Sequence, residues 1–199
     1  MGETKENILI AALHLFAKNG FEAVSMSRIS GELGITKGAL YKHYASKREV
    51  FDSIVERMER MDGMRVQQYE VPEGTYPEAE ESYSKTTMSH LTEFGIAQFR
   101  YWTEDDFASS FRRMLTLEQY RDEETGKLYQ QYLVSGPLGY VADIFRSWNI
   151  KDAEKKAVEF YSPMFLFYGI YDGADDKAAV SAEFVACMKA FSMEIQYAN

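Results

Sequence analysis

Residues Ser25–Lys47 read SMSRISGELGITKGALYKHYASK. Two short helical stretches meet here at Gly34, and Ser25 and Thr36 stand where their N-caps belong. Gly34 is expected to take the positive φ of a tight turn, a conformation that costs glycine nothing. Ile29 and Leu33 give the first stretch its inward side chains. Leu40 and Tyr44 do the same for the second, four residues apart and so on one face. Lys37, Gly38, Tyr41, Lys42 and His43 are left to face outward. A short polar helix backed by an apolar one is a shape that enters the major groove of DNA.

Upstream, the spacing of Ile8, Ala12, Leu15 and Phe16 predicts a helix over about residues 4–18, with Lys18 and Gly20 as its stop. Downstream, Ser46-Lys47-Arg48-Glu49 reads as a capping box. Val50, Phe51, Ile54, Met58 and Met61 follow as an apolar stripe on a helix that reaches about Tyr69. Pro72, Gly74 and Pro77 mark a loop. Five more helices are expected, over about 78–94, 104–121, 124–147, 151–171 and 175–197. Thr103-Glu104-Asp105-Asp106 is taken as the start of the second of these, its acids placed where the helix dipole favours them. Gly136-Pro137 and Gly139 interrupt the third. No alternating strand pattern and no repeat is visible, so the expectation is an all-α fold of about nine helices. Its division is expected at residue 50, with a helix-turn-helix DNA-binding domain over 1–50 and a ligand-binding and dimerisation domain over 51–199.

The chain carries a net charge of −9, which argues against nucleic acid until the charges are placed. Residues 1–48 hold seven Lys or Arg against four Glu, and the other 151 residues hold fifteen basic against twenty-seven acidic ones. Fields in salt water fade over roughly 8–10 Å, so a locally basic end reaches phosphate whatever the rest of the chain carries. One cysteine, Cys187, excludes an internal disulfide framework and suits a reducing compartment. Met1–Asn7 is polar, without the apolar core of a secretory leader, and the densest apolar stretch, Met164–Tyr171, is too short to span a bilayer. A cytoplasmic protein with no membrane partner is expected.

Each residue of the basic segment has a specific candidate role. Thr36 and Lys37 begin the second helix, where side chains approach base edges and free N–H groups attract phosphate. Gly38 permits close approach to the groove, and Tyr41, on the same face, offers its hydroxyl to a phosphate oxygen. Lys42 and His43 lie on the rim. Lys47 is a cation at the start of a helix, against the dipole, and a phosphate opposite it would explain the placement. Ser25, Ser27 and Arg28 open the helix that crosses the DNA backbone, although Arg28 also has Glu32 within reach at i+4. The enzyme signals fail. His14, His43 and His90 lie in separate segments without metal-ligand spacing, and no GxSxG, Walker or GxGxxG run occurs. No cofactor, no metal and no enzymatic activity are expected.

Taken together, KNGFEAVSMSRIS and GELGITKGALYKHYASKREVF resemble the DNA-binding domain of TetR-type transcriptional regulators, over about Ile8–Ile54. Gly20-Phe21, the Ile29–Gly34 segment, Gly38, Leu40-Tyr41, His43-Tyr44 and Lys47 carry the likeness. The resemblance favours a phosphate contact for His43. It implies a homodimer on a palindromic double-stranded operator, most simply a repressor released by a small-molecule effector held in the C-terminal bundle. A helical ligand-binding protein without DNA binding and a regulator controlled by a protein partner stand as alternatives.

Twenty-four of the 29 aromatic residues lie beyond residue 68, which suits a flat apolar or aromatic effector. Phe94, Phe99, Trp102, Phe107 and Phe111 are candidate lining residues. Tyr129, Tyr132, Tyr140, Phe145 and Tyr168 complete that set. The last two helices are apolar on most sides and need covering on most sides. Tyr161, Met164, Phe165 and Tyr168 on one, with Phe184, Met188, Phe191 and Ile195 on the other, are the expected dimer contacts.

Overall fold

The computed structural model describes residues 2–68, 76 and 80–198, and among these the chain is all helix, with no strand. Eleven helices follow in order. They are α1 (Gly2–Asn19), α2 (Met26–Glu32), α3 (Lys37–Tyr41), α4 (Lys47–Gln68), α5 (Glu80–Lys85) and α6 (Met88–Glu104). Then come α7 (Asp106–Glu118), α8 (Glu123–Leu133), α9 (Ser135–Ser147), α10 (Ala153–Gly173) and α11 (Lys177–Ala198). None of the described helices is long and apolar enough to cross a membrane. Part of the expected loop, 69–75 and 77–79, lies outside the described residues.

Two corners raise the expected nine helices to eleven. The stretch read as one helix over 78–94 is α5 followed by α6, whose N-cap Thr87 accepts the His90 N–H at 3.2 Å. Thr103 and Glu104 do not start a helix but end one. The Thr103 hydroxyl donates back to the Phe99 carbonyl at 2.7 Å, Asp105 caps α6, and α7 begins at Asp106. An acidic, Thr-led run satisfies a helix end as readily as a helix start, and here it does both within four residues. The stretch over 124–147 breaks at Val134, between α8 and α9. A Cβ on Gly136 would lie 2.0 Å from the Gln131 carbonyl oxygen, so only glycine fits this corner. Pro137 falls in the first turn of α9, where a missing N–H breaks no helical bond.

Packing divides the chain into two compact units that do not follow chain order. The first joins Met1–Gln67 to Asp106–Tyr129, and the second joins Gln68–Asp105 to Gln130–Asn199. Residue 50, the expected limit of DNA reading, lies inside the first unit. Its core gathers Ile8, Ala12 and Phe16 of α1, Ile29 of α2, Leu40 of α3, Val50, Ile54 and Met58 of α4, and Phe111, Met114 and Leu115 of α7. The apolar spacings of α1–α4 thus close on one another, and α7 lies along α1.

The second unit is built on rings. Phe99 of α6 stacks on Phe184 of α11 at 4.1 Å and on Tyr168 of α10 at 5.8 Å, and meets Phe167 and Tyr171 edge-on. Phe160 sits edge-on to both Phe145 and Phe191. Two polar groups among the rings donate to backbone carbonyls of distant segments. The Tyr161 hydroxyl donates to the Leu133 carbonyl at 2.7 Å, and the Trp148 indole N–H donates to the Thr86 carbonyl at 3.0 Å.

Candidate nucleic-acid interface

The helix-turn-helix forms from its own side chains. Ser25 Oγ accepts the Arg28 N–H at 3.2 Å, and Thr36 Oγ1 accepts the Ala39 N–H at 3.1 Å. Each cap satisfies an N–H that a first turn leaves open. Gly34 holds φ +63°, and the Ile35 N–H donates to the Ser30 carbonyl at 3.0 Å to close the turn. Leu40 and Tyr44 are buried, and Leu33 is half-buried. Burial raises the Tyr44 phenol above its ordinary value.

Two short helices anchored this way leave one polar face in solvent. Ser25, Ser27, Arg28, Thr36, Lys37, Gly38, Tyr41 and Lys42 are exposed, and His43 and Lys47 are half-buried. Tyr41 keeps 45% of its surface in solvent, and Lys37 Nζ lies 5.8 Å from its ring centre. Three side chains have contacts that the sequence reading did not place. Arg28 donates to Asn19 Oδ1 at 3.0 Å and not to Glu32. Glu49 accepts the Ala45 N–H, one residue before the Ser46 of the expected reciprocal pair, while Ser46 Oγ accepts the Glu49 N–H at 3.1 Å. Lys47 Nζ donates to the Phe21 carbonyl at 2.7 Å and sits 4.1 Å over the Phe21 ring. An ammonium has three donors, so this bond leaves two for phosphate.

Residues 8–54 match bacterial regulatory proteins of the tetR family. This block, about a quarter of the chain, is what the protein shares with the TetR family. An uncharacterised HTH-type transcriptional regulator of Bacillus subtilis, YerO, is 45% identical over 56 residues, 28% of this chain and 19% of the relative. The HTH-type transcriptional regulator AcrR of Shigella flexneri is 30% identical over 98 residues, 49% of this chain and 44% of the relative. The chain therefore spans about a fifth to under half of the length of these relatives. The solved complex of SmeT with triclosan shares the fold with a TM-score of 0.62 at 17% identity, over 95% of this chain and 90% of that one.

Outside the TetR-family block, the expected ligand residues fall into separate clusters. Phe107 and Phe111 stack at 6.5 Å within the first unit, and the Arg57 guanidinium lies 4.3 Å over the Phe107 ring. Tyr129 belongs to the first unit too. Phe99 and Tyr168 are core, and Trp102 meets Tyr132 at 6.2 Å. Phe145 packs on Trp148 and Phe160. Phe94 and Tyr140 are half-buried and meet at 5.8 Å, with Tyr83 6.2 Å from Tyr140. Tyr83 carried no motif and was missed. Burial pushes the Tyr83 and Tyr140 phenols up, so both stay protonated donors.

The expected dimer stripe is corrected in the same way. Tyr161, Met164, Tyr168, Phe184, Met188 and Ile195 are buried inside their own chain, and Phe191 is half-buried. The largest rings won the intrachain core because they bury most area there. Phe165 is half-exposed, alongside Val158, Leu166 and Ile170 on α10 and Met193 on α11.

Proposed function

We propose that the chain is a dimeric, ligand-responsive DNA-binding regulator, most simply a repressor, whose α3 enters the major groove at each half of a palindromic operator. The exposed, side-chain-capped α3, with Lys37 and Tyr41 outward and Lys47 beside it, is the observation that carries this reading. Residues 1–50 would serve DNA reading, and residues 51–199 the effector and the second copy. Two recognition helices on one duplex stand one helical turn apart, about 34–36 Å, or a multiple of it. The two copies would meet through the outer face of α10, Val158, Phe165, Leu166 and Ile170, with Ala182, Ala186 and Met193 of α11. These are exposed in the single chain and fall at helical spacing.

The effector would be a small molecule with an apolar or aromatic body, set among Tyr83, Phe94 and Tyr140. There the half-buried Phe94 and Tyr140 offer ring surface beside the buried Tyr83, and Tyr140 carries a phenol. The fold likeness to SmeT, solved with triclosan, supports an effector of this kind. Such a ligand releases DNA only as far as it prefers the conformation that does not bind it.

Duplexes recovered by the full chain from random DNA supply the test. The Tyr41→Ala, Lys47→Ala double variant is expected to bind them about a hundredfold more weakly at physiological salt, the loss of two charge-assisted or polar phosphate contacts. Parent-like binding by that variant would remove the assignment. Lys37→Ala is expected to relax sequence preference as well as affinity.

A further inference from the structure

Glu118, at the end of α7, lies far outside the TetR-family block, and the residue is 4% exposed. A buried carboxylate is costly unless hydrogen bonds hold it. One of its two donors is the Arg121 guanidinium, Nη1 to Oε1 at 3.0 Å. The other is a backbone group of the helix-turn-helix block over residues 8–54, the head, namely the Phe21 N–H, at 2.9 Å to the same oxygen. Phe21 is therefore held on both sides. Its N–H goes to Glu118, while its carbonyl accepts from Lys47 Nζ and its ring lies under that ammonium. The ring is wedged between Phe16 at 5.2 Å and Phe51 at 5.5 Å. Gly20, immediately before it, has φ +81°, and a Cβ there would stand 2.8 Å from Glu118 Oε1 and 2.6 Å from Arg121 Nη1. The loop between α1 and α2 thus fits closely around this one carboxylate.

We propose that Glu118 is a positioning residue for DNA binding, which sets through Phe21 where the Lys47 ammonium stands. The inference rests on the DNA-binding reading of the head. Lys47 spends one donor on the Phe21 carbonyl, and the direction of its other two follows from where that carbonyl lies. Withdrawing the carboxylate frees the Phe21 N–H and lets the loop, and Lys47 with it, leave the position from which phosphate is reached. Glu118 itself touches no DNA. It belongs to α7, so whatever displaces α7 also changes a phosphate contact made from α4.

The test uses the full chain and a duplex selected by the parent, with affinity followed against salt. Glu118→Ala is expected to bind roughly tenfold more weakly, the size of one charge-assisted contact, with a salt slope shallower by about one phosphate. Glu118→Asp folds with its charge retained but draws the oxygen back from Phe21, and is expected to move the same way. Glu118→Gln still offers an oxygen to the Phe21 N–H and is expected to stay near the parent. In a Lys47→Ala background, Glu118→Ala is expected to cost nothing further. An unchanged slope in both Ala and Asp variants, or an equal loss with and without Lys47, overturns the proposal. A parent that holds no duplex at low salt overturns the DNA-binding reading itself, and this inference with it.

Discussion

Thr36 and Phe99 fix their surroundings by different physics. Thr36 caps a five-residue helix through one bond to an N–H three residues on, and the turn beside it is set by the backbone of a single glycine. Phe99 holds α6, α10 and α11 through four rings drawn from residues some 70 to 85 positions away. The first kind of order is local, weak per contact and specific in residue type. The second is long-range and strong, and indifferent to which large apolar side chain fills the space, provided the volume is right. A reader of DNA needs the first kind, since polar atoms must be presented at fixed places. A bundle needs only the second.

The widest gap between the two appears in stability. Phe99→Ala is expected to lower the unfolding free energy by about 3–5 kcal/mol, the loss of a fully packed ring, read from the urea midpoint. A cost under about 1 kcal/mol would mean that the ring stack is not the keystone of the second unit. On the outer face, Leu166 is 63% exposed. Leu166→Asp is expected to leave the protomer's unfolding midpoint unchanged and to convert the proposed dimer to monomers in sedimentation equilibrium. A variant that stays dimeric would move the interface elsewhere. Thr36→Ala is expected to cost about 1 kcal/mol, the value of a lost N-cap, and to weaken DNA binding beyond that by fraying α3. The smallest effect concerns pH. The Thr125 hydroxyl and N–H, donating at 2.7 and 2.8 Å, hold the Asp122 carboxyl below its ordinary value. A lowered folded value means that its stabilisation is present above the ordinary carboxylate range and is lost as pH falls through the lowered value. Asp122→Ala is expected to lower the midpoint slightly at neutral pH and to match the parent in strong acid. A difference that persists undiminished in strong acid would point away from the carboxylate.

The same contrast explains what the sequence disclosed. Ser25, Thr36, Gly34, Leu40 and Tyr44 are legible because each acts within a turn or two of itself, and each is found as its spacing requires. The α6–α7 corner was not legible, because Thr103 to Asp106 satisfies either end of a helix. Phe107 and Phe111 read as members of one aromatic reservoir, yet α7 turns them to the core shared with α1. The dimer stripe failed for a related reason. A helix apolar all round gives no periodicity from which to tell the side covered by its own chain from the side left open. Glu118 carried no signal at all, since its partner is a backbone N–H 97 positions away.

The Gln131–Gly136 contact bears on how this corner is passed down a lineage. With the Gln131 oxygen 2.0 Å from where a Cβ would stand, replacement of Gly136 by any other residue cannot be absorbed by a shifted side chain. Relatives that keep the short connection between α8 and α9 are expected to keep glycine there, and those that lost the glycine are expected to carry extra residues between the two helices.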